Sequence, residues 1–248
     1  GRLVSALVRP LLWLAVFAAG FRNVFGVAIN EPYDTYIPYD VYIAPGLVGM
    51  VLLFNGMQSS LAMVYDREMG LMRLLLTAPL PRWWLLFSKL AATALLSVAQ
   101  ALAFVLVAAA LGTVLPFEGW ALVHGVLATI AGALMLASLG LLLSVYIKQL
   151  ENFAGTMNFV IFPMYFLSTA LYPLWKLEES GATWVYRVAQ LNPFTHAVEW
   201  MRFALYGKDP GVAPWVVLGT LALCFTLACW GYDPQRGFGG LTKRGGGS

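Results

Sequence analysis

Six stretches of this sequence, near residues 8–26, 43–65, 83–112, 120–147, 152–173 and 214–232, are about twenty or more residues of mostly apolar side chains. A helix rises 1.5 Å per residue, so about 20 apolar residues cross the roughly 30 Å of hydrocarbon in a bilayer. Charged residues make up only 11% of the 248, and mean hydropathy is +0.75. A soluble domain carries about 25%. The chain therefore reads as an all-α polytopic membrane protein with six transmembrane helices.

Charge distribution orients the spans. Arg2, Arg9, Arg67, Arg73, Arg82, Lys89, Lys148, Arg236, Lys243 and Arg244 fall on one side of such a topology. Arg22, Lys176, Arg187, Arg202 and Lys208 fall on the other, which also holds most of the acidic residues. Basic excess marks the cytoplasm. Both termini are thus expected inside, with the 64–82 loop. The tyrosines of Glu31 to Tyr42, EPYDTYIPYDVY, suit a membrane–water interface.

The chemistry is sparse. There is no GxxxxGK[ST], HExxH or GxSxG, and Gly207-Lys208 lacks the rest of a phosphate loop. His124 and His196 stand apart, which favours structural roles, and no metal site is expected. Cys224 and Cys229, five apart on one helix, point to different faces and read as packing residues. Intramembrane carboxylates of the kind proton-driven pumps use are almost absent. Energy for uphill movement would have to come from another chain. In the fourth span, Gly125, Thr129, Ala133 and Ala137 recur every four residues as a small-residue stripe where a neighbouring helix could pack.

Between the second and third spans lies DREMGLMRLLLTAPLPRWWLLFSK, Asp66 to Lys89. Met63 to Thr77 is helix-forming, with charges at one end and Leu and Met at the other. Pro79 and Pro81 end it, because proline disfavours helix in the residue before it. Trp83 and Trp84 then mark the interface. Such an element lies on lipid or docks in a groove on a soluble subunit.

With Val64 and Tyr65 in front, this segment resembles the cytoplasmic loop of the ABC-2 type permeases, the transmembrane subunits of bacterial ABC exporters. YIAPGLVGM, Tyr42 to Met50, resembles the Pro-Gly opening of that family's second span. LNPFTHAVEWMR, Leu191 to Arg202, resembles its signature before the last span. The likeness extends from about Leu11 to Tyr232 and is nearest to nodulation-protein-J-like and drug-resistance exporters. The family's amphipathic helix before the first span is largely missing. The chain starts at Gly1, so a leading segment is expected to precede it, and the final GGGS reads as an appended flexible linker.

The resemblance implies a type V exporter-like fold. It has a cytoplasmic coupling helix and a re-entrant extracytoplasmic segment at 174–209, within one transmembrane domain over 1–235 and a tail at 236–248. It implies a permease, not an enzyme, in a homodimer in the bacterial cytoplasmic membrane. ATP and magnesium would sit on a soluble ATPase subunit, leaving no cofactor in this chain. Asp66, Arg67, Glu68, Gly70, Arg73, Leu74, Leu75, Pro79 and Arg82 are the expected ATPase contacts. Further partners are membrane lipid and a hydrophobic or amphipathic substrate, with no nucleic acid.

In the LNP segment, Asn192 before Pro193 suits a helix N-cap. His196, Glu199 and Arg202 follow at spacings of three along one side of that helix. Asn192, Pro193, His196, Glu199 and Arg202 form an outer gate or, the favoured reading, an internal ion pair holding a re-entrant helix. An integral-membrane lipid-modifying enzyme and a non-transporting subunit of a structural or sensory complex are the alternatives. The topology is directly testable. Cysteines at Asp34 and Glu179 should react with an impermeant thiol reagent added outside intact cells. One at Arg73 should not, and labelling there would invert the orientation.

Overall fold

The computed structural model describes residues 8, 10–16, 37, 39–70, 81–112, 119–147 and 149–232. These contain helices α1 (Tyr39–Glu68), α2 (Arg82–Ala110), α3 (Trp120–Tyr146), α4 (Leu150–Phe166), α5 (Leu174–Glu179), α6 (Thr183–Leu191), α7 (Pro193–Leu205) and α8 (Ala213–Gly231). Residues 10–16 are also helical, and the described residues contain no strand element. The all-α polytopic class is therefore what the chain adopts. Among the described residues α1, α2, α3 and α8 are long and apolar enough to cross a membrane. At 17 residues α4 is shorter, and most of the first apolar run lies outside the described residues.

Local chemistry sets the helix ends. Pro81 and Pro173 stand at the N-caps of α2 and α5 in extended conformation, where a proline's missing N–H costs nothing. The helix expected from Met63 to Thr77 does not continue unbroken. It is the end of α1, which stops at Glu68 and turns through Met69 and Gly70, with Gly70 at φ +72°. That left-handed conformation is one glycine adopts without a Cβ penalty. The fifth run breaks between its two prolines. Helix α4 passes through Pro163 and ends at Phe166, leaving 167–173 irregular before α5.

The core is built on α1 and α3. Helix α1 packs against α2, α3, α4 and α7, and α3 against α1, α2, α7 and α8. In the most apolar part of α1, 67% of residues are buried, against 22% in α8, which puts α1 at the centre and α8 at the rim. Phe104, Phe153, Phe194, Leu47, Leu52 and Met135 are fully buried. Cys224 is buried, Cys229 half-buried, and both are free thiols.

Missing side chains let backbones touch. A Cβ on Gly140 would lie 2.7 Å from the Gly56 carbonyl oxygen, and one on Gly56 would lie 3.0 Å from the Ala137 nitrogen. This α1–α3 crossing is thus backbone on backbone. The small stripe on α3 serves two neighbours: Gly125 abuts Leu205 of α7, whereas Ala137 abuts Gly56 of α1. Gly132 sits between them, facing Leu52 and Ala197.

The tightest approach is at Gly46, where a Cβ would lie 2.4 Å from the Ala170 carbonyl oxygen and 2.7 Å from its Cα. Both neighbouring atoms are backbone and cannot rotate away. Gly46→Ala should therefore lower the stability of the purified protein by about 1–3 kcal/mol. Gly219→Ala on α8, with nothing within 4 Å of the added methyl, should be neutral or slightly stabilising. Thermal unfolding of the two variants in detergent checks the difference.

Candidate functional site

The irregular segment after α4 raises an accounting problem. Carbonyls at a helix C-terminus have no intrahelical partner, and in a buried, apolar setting each needs a donor. Side chains supply them one by one. Asn192 Nδ2 donates to both the Met164 and the Leu167 carbonyls, at 2.8 Å each. Ser168 Oγ donates to Tyr165 O at 2.6 Å, and the Tyr172 hydroxyl donates to Phe166 O. Tyr42 Oη donates to Thr169 O at 3.1 Å and Tyr39 Oη to Leu171 O at 2.6 Å.

Asn192 works in two directions. While its amide nitrogen closes the end of α4, its Oδ1 accepts from Phe194 N at 3.0 Å and caps α7, with Pro193 in the first turn. One side chain thus joins the C-terminus of one helix to the N-terminus of another.

Arg202 completes the junction. Only 2% exposed, it is among the largest fully buried side chains of the protein. Its Nη1 pairs with the Glu199 carboxylate, and its Nη2 donates to Thr169 O at 2.9 Å and, at a longer 3.4 Å, to Tyr42 O. The guanidinium lies over the Tyr42 ring, 4.1 Å from its centroid. A buried cation is tolerated when a carboxylate, carbonyls and a π-face surround it. Pro45, inside α1, lacks the N–H that would bond the Val41 carbonyl, the residue before Tyr42. Burial pushes the nearby Tyr206 phenol up to about 12, against the pull of the Arg202 charge, so it stays protonated at neutral pH.

Of the proposed gate residues, Asn192, Pro193, Glu199 and Arg202 meet at this junction, and His196 turns away. Its Nε2 lies 2.9 Å from Gln190 O, on the preceding helix. Sequence reading missed Tyr39, Tyr42 and Thr169. The two tyrosines were assigned to the membrane interface, but they are 7% and 2% exposed. The available signal was their position just before Pro45-Gly46, where the backbones come together.

The other candidate region begins at the last turn of α1. Asp66 Oδ2 pairs with Lys89 Nζ of α2 at 3.3 Å. Glu68 Oε1 accepts the Leu150 N–H at 2.8 Å. This carboxylate caps the N-terminus of α4, where the Gln149 side chain makes no cap and where negative charge is favoured. Arg67 belongs to the same turn, Gly70 follows it, and Arg82 starts α2. Arg73, Leu74, Leu75 and Pro79 lie outside the described residues. No group of three metal-ligating side chains occurs among the described residues.

The pattern of the ABC-2 type transporter family matches residues 2–206. This chain belongs to that family. Helices of membrane-spanning length and this match identify it as a multi-pass transmembrane permease of the ABC transporter class. It is 28% identical over 213 residues to the Porphyra purpurea relative named "Putative transport permease ycf38", covering 84% of this chain and 68% of the relative. To the inner membrane transport permease YadH of Escherichia coli K12 it is 25% identical over 240 residues, covering 95% and 90%. The E. coli relative named "Probable multidrug ABC transporter permease YbhR" is 27% identical over 185 residues, covering 74% of this chain and 48% of that protein.

The double role of Asn192 is separable by mutation. Asn192→Ser keeps a capping oxygen but cannot reach both carbonyls of α4, and should cost about 1–3 kcal/mol. Asn192→Ala also loses the cap and should cost about 1 kcal/mol more. Denaturant unfolding of both in detergent checks the order.

Proposed function

We propose that this chain is the permease subunit of an ATP-driven exporter, a homodimer that binds one soluble ATPase beneath each half. The observation that carries this reading is the Glu68 contact. The expected ATPase-contact region, at the end of α1, is tied directly to the N-terminus of α4. Movement of that region is thereby passed to a helix with much of its surface uncovered.

That surface is mixed. Asn152, Gly155, Asn158, Phe159, Phe162 and Phe166 are exposed along one side of α4. A purely lipid-facing helix has no use for amides at these positions. A second copy across a shared pathway accounts for both aromatic and polar residues, and the pathway suits a hydrophobic or amphipathic substrate. ATP and magnesium belong to the partner ATPase. Export, the bacterial cytoplasmic membrane and cytoplasmic termini complete the reading, supported by the family and the basic-residue split. Asn192, Pro193, Glu199 and Arg202 hold the outer closure together in this scheme, because Asn192 and Arg202 bond buried backbone, Glu199 pairs with Arg202, and Pro193 starts the helix that carries them.

The test is reconstitution with a partner ABC ATPase subunit. Substrate should stimulate ATP hydrolysis, and unstimulated hydrolysis with every amphipathic compound tried would count against an exporter. Glu68→Ala should leave the complex assembled and hydrolysing ATP, yet lower transport per ATP several-fold. Glu68→Gln, which keeps an acceptor for the Leu150 N–H, should fall between. Normal transport by Glu68→Ala would show that the contact transmits nothing.

A further inference from the structure

A cavity of about 240 Å³ opens between α1, α2 and α3, lined among others by Ser59, Ser60, Met63, Thr93 and Leu96. It is separate from the Arg202 junction and from the uncovered side of α4. Lys89 also lines it, and the Lys89–Asp66 pair closes one end with side chains 33% and 35% exposed. At the rim Ala62, Ala92 and Leu96 are exposed. From Lys89 to Leu96 the slot descends about 10 Å along α2, at 1.5 Å per residue.

The wall below the ion pair is less polar than its residue names suggest. Thr93 Oγ1 donates to Lys89 O, Ser60 Oγ donates to Gly56 O, and Ser59 and Thr93 hydrogen-bond each other. Their protons are committed within the protein. A ligand therefore meets one positive and one negative group, 3.3 Å apart and open to the outside, above a slot that offers it no donor. Both flanking helices are of membrane-crossing length and composition.

We propose that this groove is a binding site for a phospholipid with a zwitterionic, N–H-bearing headgroup, the chemistry of phosphatidylethanolamine. Its phosphate takes the Lys89 ammonium, its own ammonium donates to the Asp66 carboxylate, and the upper part of an acyl chain enters the slot. An anionic headgroup would bring like charge to Asp66, and a choline has no N–H to donate. A helix of a second copy, about 10 Å across, would need several times the 240 Å³ available over that length.

The experiment uses the purified full chain, stripped of lipid and supplied with phosphatidylethanolamine, phosphatidylcholine or phosphatidylglycerol of identical acyl chains. Native mass spectrometry reads retention and thermal unfolding reads stabilisation. Phosphatidylethanolamine should be retained and raise Tm, with phosphatidylglycerol held about tenfold more weakly. Ala92→Phe at the exposed rim should abolish retention while leaving the unfolding temperature of the lipid-free protein unchanged. Asp66→Asn with Lys89→Gln should erase the headgroup preference. Retention of phosphatidylcholine or phosphatidylglycerol equal to that of phosphatidylethanolamine by the unaltered chain would overturn the proposal. So would undiminished retention by Ala92→Phe.

Discussion

The structure depends on finding hydrogen-bond donors for backbone carbonyls where α4 stops inside an apolar bundle. Water is scarce in such surroundings, and an unsatisfied buried carbonyl costs about 1–3 kcal/mol. The donors come from Ser168 and Tyr172 of the break itself, from Tyr39 and Tyr42 of α1, and from Asn192 and Arg202 at the cap and in the body of α7. The positions of α7 and of the first turns of α1 follow from this demand. So does the absence of a side chain at Gly46, where α1 must approach closely enough for Tyr42 to bond Thr169 O.

Sequence alone made the helical, membrane-spanning class legible, because length and apolarity suffice for it. The Asn192-Pro193 cap and the Glu199–Arg202 pair were equally visible, since both are local and obey helical spacing. Tyr39 and Tyr42 were misjudged for a definite reason. Their partners, Leu171 and Thr169, lie more than 120 residues away, and a tyrosine at a helix start looks alike whether its hydroxyl meets water or a distant carbonyl. The outward turn of His196 was hidden similarly, because helical spacing places a ring on a side but does not choose its bond.

The α1 terminus shows the same limit. Charge clustering at Asp66, Arg67 and Glu68 marked a place where something must be contacted. It could not reveal that Glu68 caps α4 while Asp66 holds α2. Two acidic residues, two positions apart, thus bind α1 to two different helices, one on each side. The small stripe on α3 was read as a single contact face, yet it passes from α7 to α1 because the two neighbours cross α3 at different heights.

The Gly56–Gly140 crossing restricts the ways in which this molecule can change shape. Sliding α1 along α3 by a turn would drive Leu52 or Ser60, which share the face of Gly56, into a gap that admits no side chain. Rotating either helix about its axis meets the same obstacle. The two helices are therefore keyed together like a bolt in a slot and can only tilt as one body. Larger displacements fall to elements outside this pair, such as α4, joined to the end of α1 through Glu68. Glycine, usually a source of looseness, here makes the pivot rigid.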